Sequence, residues 1–128
     1  MFGRLTVIGR LTKDPKEELR YVTINGNDRA VCEFSIAINY PGEEDATFID
    51  FTTWDKNAEN LAKYQTKGQL IYVEARPKTD RWNDKESGQP RSKLKYTADN
   101  IKYLERANGE NGQEAPTVEQ PKTMKPNF

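Results

Sequence analysis

Ala46-Thr47-Phe48-Ile49-Asp50-Phe51-Thr52-Thr53-Trp54, followed at once by Asp55-Lys56-Asn57-Ala58-Glu59-Asn60-Leu61-Ala62-Lys63, is the stretch whose reading decides the fold. The first half is rich in β-branched and aromatic residues, which fit a pleated strand. Side chains alternate across a strand with period two. Phe48, Asp50, Thr52 and Trp54 therefore share one face, and Ile49, Phe51 and Thr53 share the other. The second set reads as core. The first carries large flat rings among small polar groups, a pattern that suits stacking on flat ligands. The same pattern also fits rings packed in a core or an oligomer interface. The second half changes period. Ala58, Leu61, Ala62 and Gln65 fall on one helical stripe, with Tyr64 beside it. A helix is expected from Asp55 to Lys67, capped by Asp55 or Asn57 and ended by Gly68 in the left-handed conformation.

Strand patterns lie on both sides of this unit. Residues 4–12 form a first strand, with Gly9 marking a bulge or bend. Leu19–Thr23 is a short extended piece, and Asn25-Gly26-Asn27-Asp28 is a turn. From Arg29 to Asn39, Ala30, Cys32, Phe34, Ile36 and Ile38 alternate as a core face. After the helix, residues 69–81 form a strand in which Pro77 requires an edge or a bulge, because it has no N–H to donate. A polar hairpin loop leads to a last strand, residues 91–99, with Lys93 and Lys95 on one face and Leu94, Tyr96 and Ala98 on the other. Five strands with one short helix between the third and fourth is the order of the OB-fold. This all-β Greek-key barrel uses its face and loops to bind oligonucleotides or oligosaccharides.

Composition narrows the chemistry. Of 128 residues, 34% are hydrophobic and 31% charged, and the formal net charge is zero. Mean hydropathy is −0.97. Any basic surface must therefore be a local patch. The chain has no His, which excludes His-dependent triads and Cys/His zinc sites. Cys32 is the one cysteine, so no disulfide forms within the chain, and its strand position reads as a small buried side chain. No glycine loop cradles phosphate, the acids are scattered, and no cofactor or metal is expected. No apolar run spans a bilayer and no signal peptide is evident, so the expected location is the cytoplasm, without membrane contact. Residues 105–128 are rich in Pro, Gly and polar groups and read as a disordered tail following a domain of residues 1–104.

Several segments resemble one family. Val7-Ile8-Gly9-Arg10-Leu11-Thr12-Lys13-Asp14-Pro15 with Leu19-Arg20-Tyr21, Trp54 through Tyr64, Lys67-Gly68-Gln69-Leu70 through Glu74, and Thr79-Asp80-Arg81-Trp82 are similar in order and spacing to bacterial single-stranded DNA-binding proteins. The resemblance implies an OB barrel, usually a homotetramer, that binds single-stranded DNA. It implies base stacking on Phe48, Trp54 and Trp82, with Tyr40 near a further aromatic position. It implies basic contacts at Arg4, Lys56 and Lys67. The flanking Arg76, Lys78, Arg81, Lys93 and Lys95 are further phosphate candidates on the strands themselves.

Some features depart from that family. Ala75 and Pro77 suggest a bent or shortened arm, and Asp50 and Asp80 place acid near the expected DNA path. The C-terminus keeps Phe128 after Pro126 but lacks an acidic tip, as in a divergent copy carried by a phage or plasmid. Docking of replication or repair proteins on Phe128 is thereby weakened. Three readings follow. The first is sequence-independent binding and protection of single-stranded DNA in replication, recombination or repair, by a homo-oligomer (dimer or tetramer) that is not an enzyme. The second is an OB-fold protein-interaction accessory module with weak DNA binding. The third, a carboxylate-metal nuclease, has little support, because Asp50 and Asp55 read as lying on opposite strand faces.

Overall fold

The computed structural model describes residues 1–106. Six strands form one sheet: β1 Leu5–Leu11, β2 Leu19–Ile24, β3 Asn27–Ile38, β4 Thr47–Trp54, β5 Leu70–Asn83 and β6 Pro90–Tyr103. A short 3-10 turn, Pro15–Glu17, follows β1, and the single α-helix, α1 (Asp55–Tyr64), lies between β4 and β5. No helix among the described residues is long and apolar enough to cross a membrane.

The sheet closes on itself. β1 pairs antiparallel with β5 along Leu5–Arg10 and then with β3 at Arg10 and Leu11. The ring runs β1-β5-β6-β4-β3 and back to β1. Its seam is the parallel pair β4–β6, which meets at Thr52 and Thr97. The buried Thr53 hydroxyl donates to the Ala98 carbonyl there at 2.9 Å, adding a side-chain bond where the ladder is shortest. This is the expected OB topology, with five strands in the barrel and the helix between the third and fourth of them.

The sixth strand is β2. The piece at Leu19–Thr23 is a full strand that pairs with β3 from Leu19↔Cys32 to Ile24↔Asn27. Asn25 and Gly26 both have positive φ and make the hairpin turn. An isolated six-residue segment shows little of this, because its stability comes from its partner.

The core is filled by the inward positions. Phe51 stacks on Phe34 at 5.3 Å between ring centroids, and Tyr96 tilts against Phe51. Ile36, Ile71, Val73 and Ala75 are fully buried around them. Ala58 and Leu61 of α1 close one end of the barrel. Cys32 is buried, and desolvation pushes its thiol pKa up to about 11. It is a packing group rather than a nucleophile.

Local chemistry differs from expectation at both ends of α1. The helix stops at Tyr64, three residues short of the predicted Lys67. Gln65 is extended there and its side-chain amide donates to the carbonyls of Tyr64 and Glu105, replacing the next helical turn. Gly68 has φ +90 but serves a turn closed by the Gln69 N–H donating to the Thr66 carbonyl, not a helix C-cap. At the other end Asp55 makes no side-chain cap. It takes φ +55, and its carboxylate turns back toward β3.

The β5–β6 arm is long and fully paired, out to Asn83↔Pro90. It bends at a register shift between Glu74 and Ala75, but it is not shortened. Pro77 is tolerated because β1 ends its pairing at Leu5↔Ala75, so nothing beyond needs the missing N–H. The expected domain end at 104 is followed by two residues still bonded to the barrel. Glu105 accepts from Arg10 at 2.9 Å, and the Gln69 side chain donates to the Arg106 carbonyl.

Gly9 is the tightest point. A Cβ there would lie 2.5 Å from both the Ala37 carbonyl oxygen and Ile36 Cγ2. We expect Gly9→Ala to destabilise the fold by about 1–3 kcal/mol, the usual cost of overpacking, as measured by urea denaturation. An unchanged midpoint would mean that β1 can move away from β3 freely.

Candidate nucleic-acid interface

Cross-strand partners share a face, so the register assembles the outer surface. Trp54 pairs with Val31, Thr52 with Glu33, Asp50 with Ser35 and Phe48 with Ala37. Across the seam, Thr52 meets Thr97. Thr97 pairs with Arg76, Lys95 with Lys78, Lys93 with Asp80, and Arg91 with Trp82. One continuous face therefore carries Phe48 and Trp54 on β4, Lys93 and Lys95 on β6, and Arg76, Lys78 and Trp82 on β5.

The rings are not core. Phe48 is 63% exposed and Trp82 is 46% exposed. Trp54 is half-buried, because the Arg29 guanidinium covers it at 4.9 Å from the ring centroid. Tyr40 is exposed in the loop after β3, whose turn is closed by the Glu43 N–H on the Tyr40 carbonyl. Between β4 and the arm runs an open groove of about 570 Å³, walled by Phe48, Asp50, Leu94 and Tyr96, with Lys93, Lys95 and Lys13 among its charges.

The charge pattern explains how a neutral chain presents this surface. Many of its cations are already paired. Lys95 meets Asp80 at 3.2 Å, and Arg76 meets Asp99 at 3.1 Å. Arg4 bridges Asp99 and Glu74 at 3.2 and 3.6 Å at the base of the arm, sharing the Asp99 carboxylate with Arg76. Arg29 holds Asp55 at 2.7 Å, and Arg91 holds Asp84 at 3.0 Å near the hairpin tip. Among the described residues, Lys56, Lys67, Lys78, Arg81 and Lys93 make no ion pair.

These contacts move pKa values as expected. Hydrogen bonds from Arg29 hold the Asp55 carboxyl below its ordinary value, and backbone N–H groups of Glu86 and Ser87 do the same for Asp84. Glu74 is lowered mainly by the Tyr72 hydroxyl and then by Asn100. Each such carboxylate stabilises the fold above its unfolded-state pKa, and that contribution is lost as pH falls through the lower folded value.

The expected site residues divide. Phe48, Trp54, Trp82, Arg76, Lys78, Lys93 and Lys95 share the face. Arg81 pairs with Ser92 and points to the opposite side of the arm from Trp82. Lys56 lies on the first turn of α1, one residue beyond Asp55, and Lys67 lies in the turn after the helix, its N–H on Asp14. Arg4 is committed to the acids at the base of the arm. Phe128 lies outside the described residues. Sequence reasoning missed Arg29, Asp55 and Lys13 as neighbours of the face. Only the register, which sets Val31 opposite Trp54, brings Arg29 over the ring. Among the described residues, no cluster of three acids or thiols is arranged to hold a metal.

A model of the single-strand binding protein family matches residues 2–104. The chain belongs to that family. The single-stranded DNA-binding protein A of Bacillus subtilis is 38% identical over 114 residues, covering 85% of this chain and 63% of that protein. The single-stranded DNA-binding protein of Oceanobacillus iheyensis is 35% identical over 120 residues, covering 90% of this chain and 71% of its own length. In structure, the mitochondrial single-stranded DNA-binding protein Rim1 of S. cerevisiae superposes with a TM-score of 0.62 at 23% identity. That alignment covers 82% of this chain and 97% of Rim1 and shows a shared fold.

A single-strand binding protein that keeps its rings for a ligand should not need them to fold. Phe48→Ala and Trp82→Ala are each expected to change stability by no more than about 0.5 kcal/mol in urea denaturation. A loss of about 3 kcal/mol or more would identify the ring as a packing group.

Proposed function

We propose that this protein binds single-stranded DNA without sequence preference, as a non-enzymatic cytoplasmic protein serving replication, recombination or repair. One observation carries the reading: Phe48, Trp54 and Trp82 share the outer face of an OB barrel with Lys78, Lys93 and Lys95. Every base has a flat face, so stacking on these rings tolerates any sequence. Duplex bases are already stacked on one another, and the rings therefore select single strands. Lys93 and Lys78 neutralise phosphates beside them, and the groove between β4 and the arm guides the strand past Phe48. The bacterial relatives named as single-stranded DNA-binding proteins support the same reading.

Assembly into a dimer or tetramer extends the proposal. β1 exposes Ile8 at 52%, and Phe2 just before it at 83%, which is apolar surface that a second copy can cover. The accessory-module reading draws on the many internally paired cations, which leave little positive potential for DNA.

Tryptophan fluorescence separates the two. Poly-thymidine is expected to quench the protein strongly and matched duplex weakly, with log affinity falling by about 0.7 per neutralised phosphate against log salt. Phe48→Ala and Trp82→Ala should each weaken binding by about 1–3 kcal/mol. Quenching by neither nucleic acid would favour the accessory module, and equal affinity for duplex would remove the stacking platform.

A further inference from the structure

Trp54 is not bare. The Arg29 side chain lies across it, 4.9 Å from the ring centroid. Arg29 comes from β3, one alternation beyond Val31, which pairs with Trp54. Its Nε donates to one oxygen of Asp55 at 3.1 Å, and its terminal nitrogen donates to the other at 2.7 Å. This is a two-pronged guanidinium–carboxylate contact, the geometry with which arginine also grips phosphate. Both groups remain open to solvent, with side-chain exposures of 41% and 54%.

The backbone is arranged for this contact. Asp55 takes φ +55, a conformation that most L-residues avoid. It contributes no side-chain cap to α1. The left-handed residue instead swings its carboxylate back across the end of β4. Asp and Asn tolerate this conformation better than other side-chained residues, so the position suits its occupant.

The consequence concerns the strand that would stack on Trp54. A base on the ring carries its phosphate to within reach of a neighbouring cation, and Arg29 is the cation already on that ring. Its charge is neutralised by Asp55. We propose that Arg29 is a phosphate-binding residue of this face, held in reserve by Asp55, and that single-stranded DNA engages it by exchanging phosphate for carboxylate. The proposal rests on the single-strand-binding reading. It assigns Asp55 the role of an internal competitor: the carboxylate keeps the guanidinium aligned on the ring in the free protein and lowers the affinity for DNA.

The test uses the full chain and poly-thymidine, read by tryptophan quenching over a series of salt concentrations. Asp55→Asn removes the charge and keeps a side chain suited to the left-handed backbone. It is expected to tighten binding about two- to fivefold at low salt, the range of one exposed ion pair. The salt slope should steepen by about 0.7, the increment of one more phosphate. Asp55→Gly, which also suits the backbone, should behave alike, so a folding defect in either variant alone leaves the test intact. In an Arg29→Ala background, Asp55→Asn should change neither quantity. Equal tightening with and without Arg29 would make Asp55 only a diffuse negative charge and overturn the proposal. An unchanged affinity or slope in Asp55→Asn would overturn it too. Failure of the unmodified protein to bind poly-thymidine would instead remove the single-strand reading, and the proposal with it.

Discussion

The closure of the barrel by β1 is the constraint from which the rest follows. This strand serves two partners in succession, β5 over most of its length and β3 at its end. The crossing brings the backbone at Gly9 against the Ala37 carbonyl, at a separation that no side chain can share. The hydrogen bonds continue past the crossing, with the Thr12 N–H on the Ser35 carbonyl and the Leu11 N–H on the Gln69 carbonyl. Once β1 is fixed, β3 and β5 are fixed relative to each other, and β4 and β6 are left facing across a short parallel seam. That seam sets the outer face. Phe48 and Trp54 can meet the lysines of β6 only because Thr52 and Thr97 come level there.

The outer face is electrostatically frugal. A neutral chain that binds a polyanion has to concentrate positive charge locally or release it on demand. Here much of it is paired within the protein: Lys95 with Asp80, Arg76 with Asp99, Arg29 with Asp55. Exposed pairs of this kind contribute little to stability, at most about 1 kcal/mol each. They are correspondingly easy to exchange for another anion. Under the proposed function, binding is expected to depend more on stacking by the rings than on counterion release, with the acids limiting the grip on phosphate.

Much of this was legible in the sequence because it is local. Period-two alternation put Phe48 and Trp54 on one face and Phe51 on the other, and the structure exposes the first face and buries Phe51. The single helix and the edge position of Pro77 follow from residue chemistry alone, whereas Gly9 marks a close approach to β3 within an unbroken strand rather than the expected bulge or bend. What was not legible depends on partners. β2 is a strand because β3 pairs with it, and its own six residues carry too little pattern to say so. The helix ends early because Gln65 finds the Glu105 carbonyl, forty residues away. Asp55 reads as a cap in sequence, since an acid beside a helix start usually is one. Its actual partner, Arg29, is separated by a whole strand and loop.

The early end of α1 also bears on the site. Because the helix stops at Tyr64, the chain must turn at once to enter β5, and Gly68 allows that turn. The Gly68 N–H then donates to the Leu11 carbonyl at 2.8 Å, so the turn is stitched to the end of β1. The Lys67 N–H bonds the Asp14 carboxylate at 2.7 Å, which holds the neighbouring loop against the same turn. The helix is thus anchored through its exit rather than through a capped entrance. Its entrance is free to take the unusual backbone of Asp55, because no capping bond is lost there. An uncapped helix start beside Trp54 is the local cost that lets the carboxylate reach Arg29, and the exit contacts explain why the fold tolerates it.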